Sequence, residues 1–557
     1  MKCQYRASKW MLAWGLGMIV VLGLTVGCRN PDRYKRKADE EVYGILQSKW
    51  QDDFGEQVNY KVSEQAPNDV NIARTLSPSK VITLAQAVHI ATQFNRDYQS
   101  QKESLYLAAL DLTGTRHQYQ RQWFGTFDAT YAERNGADEQ TLTSEVGVNQ
   151  DHLLGNGIQI GTGVAVDWLR YLSGDPYTTL GSVLTATLSA PLLGAGAGKA
   201  AREQLTQAER NVLYRIRTFN RYRKTFVVSI INSYYQVLQR RDTVRVREDS
   251  YKRQIDNTNR LIMEAEVGKL AQSAADEARQ SLLDAENSLV SARQSYQQAL
   301  DNFKLDLSLP TNIDIRLDQN ELPALEAAGV YEPNYTEQEA TEIALGRRLD
   351  LANTRDGLDD VERKLILAAE GLGVQLNLVG SVNVDSTPET DFTRLRFHKG
   401  SYALGLESDL PFDRKAERNA YREALISVQQ RQRAYDEEED RIKLTVRQAF
   451  RDLAETAESY RIQKLGMDLA QSRVREQKIK LEVGRGVIRD LQNSEAALVQ
   501  AQISVTNALV SHTIAKLNFF RDIGLLQVKP DGMWEQADYD SSDRQANAQS
   551  IESKRPG

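Results

Sequence analysis

The stretch VRQAFRDLAETAESYRIQKLGMDLAQSRVREQKIKL, residues 446–481, carries Val446, Leu453, Tyr460, Met467, Val474 and Leu481 at intervals of seven. A seven-residue apolar repeat keeps one seam of a helix turned towards a partner helix along its length, so the spacing predicts a coiled coil. Val483-Gly484-Arg485-Gly486 follows. Glycine reaches the left-handed backbone that closes a helix, so a turn is expected there, with a second helix running back from about Val487 to about Ile523. The same design occurs earlier: Ile230, Val237, Val244 and Tyr251 are seven apart, and Val267-Gly268-Lys269 follows them. Val446 and Ile230, Leu453 and Val237, and Gly484 and Gly268 are each 216 residues apart, as are Leu498 and Leu282, Ala501 and Ala285, and Phe519 and Phe303. One offset held over so many positions indicates an internal duplication of a long helical hairpin.

At 557 residues the chain is long enough for more than one domain, and 26% charged residues with only 12 Pro suit long polar-faced helices. Lys+Arg is 70 against Asp+Glu 76, a formal charge of −6. That balance gives no general case for nucleic acid or for an anionic surface as a partner.

The first residues read as a secretion signal. Lys2, Arg6 and Lys9 form a basic start, and residues 10–26 are an apolar run too short and too early for a spanning helix. The run ends Leu24-Thr25-Val26-Gly27-Cys28. It resembles a bacterial lipoprotein signal, which implies cleavage after residue 27 and lipid on Cys28. The only other cysteine is Cys3, inside the signal, so a mature chain beginning at Cys28 has neither a disulfide nor a CxxC metal site. Arg29, a non-acidic residue after the cysteine, is compatible in such lipoproteins with sorting to the outer membrane. Residues 28–80 are then expected to be an irregular tether with one short helix around residues 38–50.

Two further helices start at matching capping boxes: Thr83 with Gln86, and Thr336 with Glu339. The first is expected to run unbroken to about Gln120. Alternating strands follow each. Val374, Leu376, Leu378, Val382 and Val384 share one face, and Gln375, Asn377, Ser381 and Asn383 the other. Period two, apolar out and polar in, over about ten residues is the pattern of a tilted membrane strand. Tyr402, Leu404 and Leu406 alternate likewise, as do Phe127, Ala129 and Tyr131, and Leu184, Ala186 and Leu188. An extra strand pair near residues 143–149 and 158–168 has no counterpart in the second half. Each half is expected to turn from strand to helix at a proline, Pro191 and Pro411, and to continue in a helix of roughly 70 residues, one turn longer in the first half.

Nothing reads as a catalytic centre. The run from Leu193 to Ala200 suggests a phosphate loop, but Leu193 takes the place of its first glycine and Ala200 that of its magnesium-binding Ser/Thr. His89, His117, His152, His398 and His512 are scattered and form no metal pair. No nucleophile, base and orienting group occur together, so neither an enzyme nor a cofactor is expected.

The order helix, strands, proline corner, very long helix, Val-Gly turn and return helix, given twice behind a lipoprotein signal, resembles the TolC-type outer-membrane efflux protein family. The carriers are Leu84-Ala85-Gln86-Ala87-Val88, Leu188-Ser189-Ala190-Pro191-Leu192 and the two Val-Gly tips. The resemblance covers about residues 81–526. It implies an α+β membrane protein: a homotrimer in which a β-barrel shared between protomers, in contact with outer-membrane lipid, continues into an α-barrel of coiled-coil hairpins. It implies contact of Val267, Gly268, Val483, Gly484 and Arg485 with a periplasmic adaptor, which couples the tunnel to an inner-membrane pump. It implies a pore constriction where the family places two aspartates. Asp490 stands at the first of those positions and Asn493 at the second, so the ring would carry about half the family's charge.

The expected division is a signal at 1–27, a tether at 28–80, a first repeat at 81–308, a linker at 309–335, a second repeat at 336–526 and a polar tail at 527–557. The expected function is the outer-membrane conduit of a tripartite efflux or secretion system. The alternative is a non-channel periplasmic coiled-coil lipoprotein that spaces the membranes.

Overall fold

The computed structural model describes residues 30–54, 59–62, 81–134, 139–171, 178–193, 198–333, 335–387, 391–410, 412–483, 485–529 and 534–536. Cys28, Pro411, Gly484 and the tail beyond residue 536 lie outside them. In chain order the elements are α1 (Pro31–Phe54), β1 (Val81–Ile82), α2 (Leu84–Phe94), α3 (Arg96–Gln118), β2 (Gln122–Arg134), β3 (Glu139–Leu153), β4 (Gln159–Tyr171), β5 (Thr178–Leu193), α4 (Lys199–Glu266) and α5 (Gln272–Asp306). They continue with β6 (Arg316–Leu317), α6 (Glu321–Ala328), α7 (Glu337–Arg347), α8 (Leu349–Glu370), β7 (Gln375–Thr387), β8 (Asp391–Leu395), β9 (Ser401–Asp409), α9 (Lys415–Glu482), α10 (Ile488–Asp522), β10 (Leu526–Val528) and β11 (Trp534–Gln536).

The helical part is a wall four helices wide. α4 and α9 are each 68 residues, or about 100 Å at 1.5 Å per residue. Along its first half α4 lies between α3 and α8, and along its second half between α5 and α10; α9 lies against α8 and then α10. α5 and α10 are both 35 residues. The long helices are therefore equal, and the extra turn expected in the first one is absent. The additional residues of the first half fall in the corner that precedes it, since α4 starts at Lys199 and α9 at Lys415, 216 residues apart.

The halves of the wall meet in a belt that holds most of the core. Tyr234, Phe303, Phe519 and Val446 are buried there together with Trp50 of α1, and Phe519 packs edge-on to Phe450 and Phe520. β1 pairs in parallel with β6 of the linker, so that linker is structured, with α6 lying across α10. Both capping boxes form, Thr83 with Gln86 and Thr336 with Glu339. The helix expected to run from Thr83 to about Gln120 is instead broken at Asn95, which is extended (φ −62°, ψ 131°). The Asn95 side chain caps α3 by accepting from Tyr98 N at 3.0 Å and donates to Asp306 O at 2.8 Å, binding the end of α5. Arg348 makes the corresponding break between α7 and α8. α1, at 24 residues, is longer than the short helix expected in the tether, because Val42, Leu46 and Trp50 find cover against α3 and α4. At the start of the polar tail β10 pairs with β11, Leu526↔Gln536 to Val528↔Trp534.

At the other end of the wall is one antiparallel sheet, ordered β2-β3-β4-β5-β7-β9, with short β8 on the end of β7. Both strands of the extra pair, β3 and β4, lie inside it and are longer than their sequence pattern indicated. Val148, Val164, Leu184 and Val384 stand in register on one face; Asn149, Gly163, Thr185, Asn383 and Ser401 stand in register on the other. Among the described residues no helix is long and apolar enough to cross a membrane.

Phe519→Ala should be among the costly single changes. The ring is fully buried where α9, α10 and the belt converge, so its loss should cost about 3–5 kcal/mol. A melt of the detergent-solubilised protein followed by circular dichroism should show a lowered midpoint with unchanged helix content at low temperature.

Candidate functional site

Three parts of the molecule carry features that bear on function: the sheet, the upper wall and the tips. On the sheet's apolar face Phe127, Tyr131, Val148, Val164, Tyr402, Leu404 and Leu406 are all exposed. Soluble proteins rarely leave so broad an apolar surface uncovered. On the polar face Asp128, Glu145 and Asp167 are direct cross-strand neighbours. Pro191, expected at the helix start, lies inside β5 where the pairing with β7 slips, and α4 begins only at Lys199. A proline has no N–H to give the ladder, so it sits at the irregularity. Lys199 pairs with Glu370, and Arg202 Nε donates to Gly155 O at 2.9 Å, tying α4 to the β3–β4 turn.

The upper wall is joined by charge rather than by heptads. Down α4, Arg210, Arg217 and Arg221 meet Asp360, Asp356 and Asp350 going up α8, so the two helices run antiparallel. Asp360 is the centre. It accepts from Tyr214 Oη at 2.6 Å, Arg363 at 2.9 Å and Gln207 Nε2 at 3.1 Å, and also pairs with Arg210. Burial raises its pKa, but the hydrogen bonds from Tyr214, Gln207 and Arg363 and the Arg210 charge outweigh burial and hold it below the usual carboxylate value. Sequence reading missed this seam. The available signal was the spacing of arginines at 210, 217 and 221 against aspartates at 350, 356 and 360.

At the tips the two hairpins close in parallel ways. Gly268 has φ 74°; its N–H donates to Ala265 O at 3.0 Å, and Lys269 N donates to Glu264 O at 2.9 Å. In the second tip Arg485 N makes the same reach to Lys480 O at 2.8 Å. Gly486, in that tip, is required for another reason: a Cβ there would stand 2.7 Å from Leu481 N. Val267 and Val483 are 69% and 63% exposed, with Met263, Ile479 and Val487 exposed around them. Behind the tips Leu261, Ala278 and Ile488 form a small core that joins α4, α5 and α10. Buried Glu495 of α10 accepts from Asn257 Nδ2 of α4 at 3.3 Å and lies 3.8 Å from Lys478 Nζ of α9. Asp490 and Asn493 are both exposed and, three residues apart, share a face of α10 directed away from that core. Asp490 also lies in the first turn of α10, where a carboxylate complements the helix dipole. Among the described residues no group of His, Cys, Asp and Glu is arranged to hold a metal ion.

Together these parts make a wall of paired helical hairpins rising from an amphipathic sheet and ending in glycine-closed tips. That is the fold of the TolC-type outer-membrane channels, as the sequence resemblance implied. No protein-family model matches the chain, and no curated protein matches it in sequence. Solved structures do match. CusC, described as a transmembrane channel, aligns with a TM-score of 0.60 at 12% identity, over 84% of this chain and 96% of that one. The open-state MtrE outer membrane channel of Neisseria gonorrhoeae aligns at 0.57 and 13% identity, over 86% and 98%. The CmeC outer membrane channel of Campylobacter jejuni aligns at 0.57 and 13%, over 83% and 88%.

The α4–α8 seam gives a pH dependence with a definite sign. Because the Asp360 carboxyl is depressed in the folded state, its contribution to stability is present above the unfolded value, about 4, and is lost as pH falls through the lower folded value. Asp360→Asn should remove that acid-side dependence and should destabilise at pH 7. The loss should be smaller than the roughly 3–5 kcal/mol of a fully buried pair, since Arg210 and Arg363 keep contact with water. Melting midpoints of both proteins between pH 3 and 7 measure both effects.

Proposed function

We propose that this chain is the outer-membrane conduit of a tripartite efflux or secretion system, acting as a homotrimer. One observation carries the reading. The sheet is apolar on one face and polar on the other, and among the described residues its edge strands β2 and β9 each pair on one side alone, β2 with β3 and β9 with β7, leaving the outer edge of each open. Hydrocarbon cannot satisfy a row of edge N–H and C=O groups, so such a sheet is stable in a bilayer only when other copies close it. Three copies would close the sheets into a barrel and the four-helix walls into a tunnel. The exposed valines at 267 and 483, with Gly268, Gly484 and Arg485, would then face a periplasmic adaptor at the far end, and through it an inner-membrane pump. A spacer lipoprotein without a pore has no use for an amphipathic sheet, and that alternative is the weaker for it.

In this reading the channel is passive and carries no cofactor, and its substrate is set by the pump. Cys28 would anchor each protomer by lipid, so mass spectrometry of the mature N-terminus should find a lipid-modified cysteine at residue 28. An unmodified terminus at another position would remove the anchor from the account.

Single-channel recording of purified protein in a planar bilayer tests the conduit directly; discrete conductance steps are expected, and a bilayer left silent by correctly folded protein would overturn it. The same recording tests the constriction. Three copies of Asp490 on one axis would attract cations and hold divalent ions through oxygen ligands. Asp490→Asn should therefore weaken cation selectivity and block by divalent cations, leaving assembly intact. Unchanged selectivity and block would return Asp490 to the role of an exposed charge at a helix start.

A further inference from the structure

We propose that the hairpin β3–β4 widens the outer pore, so that each protomer contributes six strands and the closed barrel has eighteen, a bore matched to the helical tunnel beneath it. The proposal rests on the trimeric reading above. β3 and β4 are not a flap on the sheet. β2 and β3 pair residue for residue from Gln122↔Asp151 to Arg134↔Glu139, β3 and β4 from Thr141↔Tyr171 to Leu153↔Gln159, and β4 and β5 from Gln159↔Ser189 to Arg170↔Thr178. The hairpin thus spans the full height of its neighbours, and the ladders of one face run unbroken through it.

Dimensions decide what such a sheet can do. Strands about 4.8 Å apart and tilted by about 40° occupy roughly 6 Å of circumference each, so six cover about 38 Å. Four packed helices, at 8–10 Å between axes, cover about 32–40 Å. The sheet and the wall of one protomer therefore subtend nearly the same arc, and the barrel continues the tunnel without a taper. Four strands at the same tilt would cover about 25 Å. Three copies of the six-stranded sheet give a backbone ring about 36 Å across, against about 24 Å for twelve strands.

The polar face of the hairpin suits a concave lining. Gly147, Gly161 and Gly163 stand on it beside Thr126, Thr187 and Thr185, whose hydroxyls lie over them. A Cβ at Gly147 or Gly161 would come within 2.6 Å of the threonine Oγ1. The threonines lie flat because the glycines leave them room, which keeps the wall thin on the side where side chains crowd. The cargo class that follows is bulky: solutes on the order of 25 Å across would pass the barrel once admitted by the tunnel.

The experiment compares the full chain with a variant lacking residues 135–171, which joins β2 to β5 through residues 172–177. Native mass of the solubilised particles counts protomers. Graded polyethylene glycols, added on the side of the bilayer that the sheet faces, measure the width of the barrel mouth through their effect on conductance. The expected result is three protomers in both proteins and a mouth about 2-fold wider in the full chain, since side chains narrow both rings by the same amount. Three protomers with the same polymer cut-off would overturn the role of the hairpin. A different protomer number would overturn the trimer and with it the count of eighteen. Should the shortened chain not assemble, the full chain still decides the matter. A cysteine at Val148→Cys should be quenched by lipid-borne labels and one at Asn149→Cys should react with a water-soluble thiol reagent. Both reacting only from water would place the hairpin outside the barrel wall and sink the proposal.

Discussion

A helix of 68 residues needs cover along both flanks, and this requirement shapes the whole chain. Local propensity cannot hold an isolated helix about 100 Å long in water; its stability comes from packing of its faces. Here α4 and α9 are covered by shorter helices set end to end, α3 then α5 on one, α8 then α10 on the other. The weak points of such an arrangement are the joints, where each cover helix stops and its terminal carbonyls and amides need partners. Those joints coincide with the belt. Asn95 caps one helix and binds the last residue of another, and Arg348 sits at the equivalent break, paired to Asp350 at 2.7 Å. The largest buried core of the protein fills the same level, and α1 and the linker wrap it.

The two halves of the wall solve the cover problem with different chemistry. From the belt downwards α9 packs through heptad residues, Val446 and Leu453 in the belt core and Tyr460 below it against Val505 and Leu509 of α10, which stabilise by burial. Above it, α4 and α8 meet through arginines and aspartates. Part-buried ion pairs contribute little net stability, because desolvation offsets most of their attraction, but a mismatched pair is costly. The ionic seam therefore selects which helices lie side by side and at what register, in the part of the wall that must pass into a sheet of fixed register.

This difference explains what could be read from the chain. The long helices, their ends at Glu266 and Glu482 and the tips were legible, because heptads repeat and glycine marks a turn whatever surrounds it. The expected alternation of β7, β9 and parts of β2 and β5 was legible for the same reason. The breaks at Asn95 and Arg348 were not, since both lie in runs with good helical pattern; Asn95 is tied to a partner remote in sequence, Asp306, while Arg348 pairs with its near neighbour Asp350. The full length of β3 and β4 was hidden because their polar faces carry glycine, threonine and acids, residues that also make loops. The α4–α8 seam was hidden because a solvated face and an ionic interface have the same composition. Of the candidate site, the structure shows Asp490 and Asn493 on one exposed face, while the proposed ring would need other copies, which no single sequence displays.

The distribution of core along the wall also sets where it can move. At the belt dozens of buried side chains join the two hairpins, and separating them there would expose most of the apolar surface in the helical part. Near the tips the hairpins are joined by Leu261, Ala278 and Ile488 and by the contact of Asn257 with Glu495. Local opening costs in proportion to the apolar contacts it breaks. The tips are therefore the part of the wall that separates at least cost while the belt holds, and Asp490 and Asn493 lie just inside the part that would move.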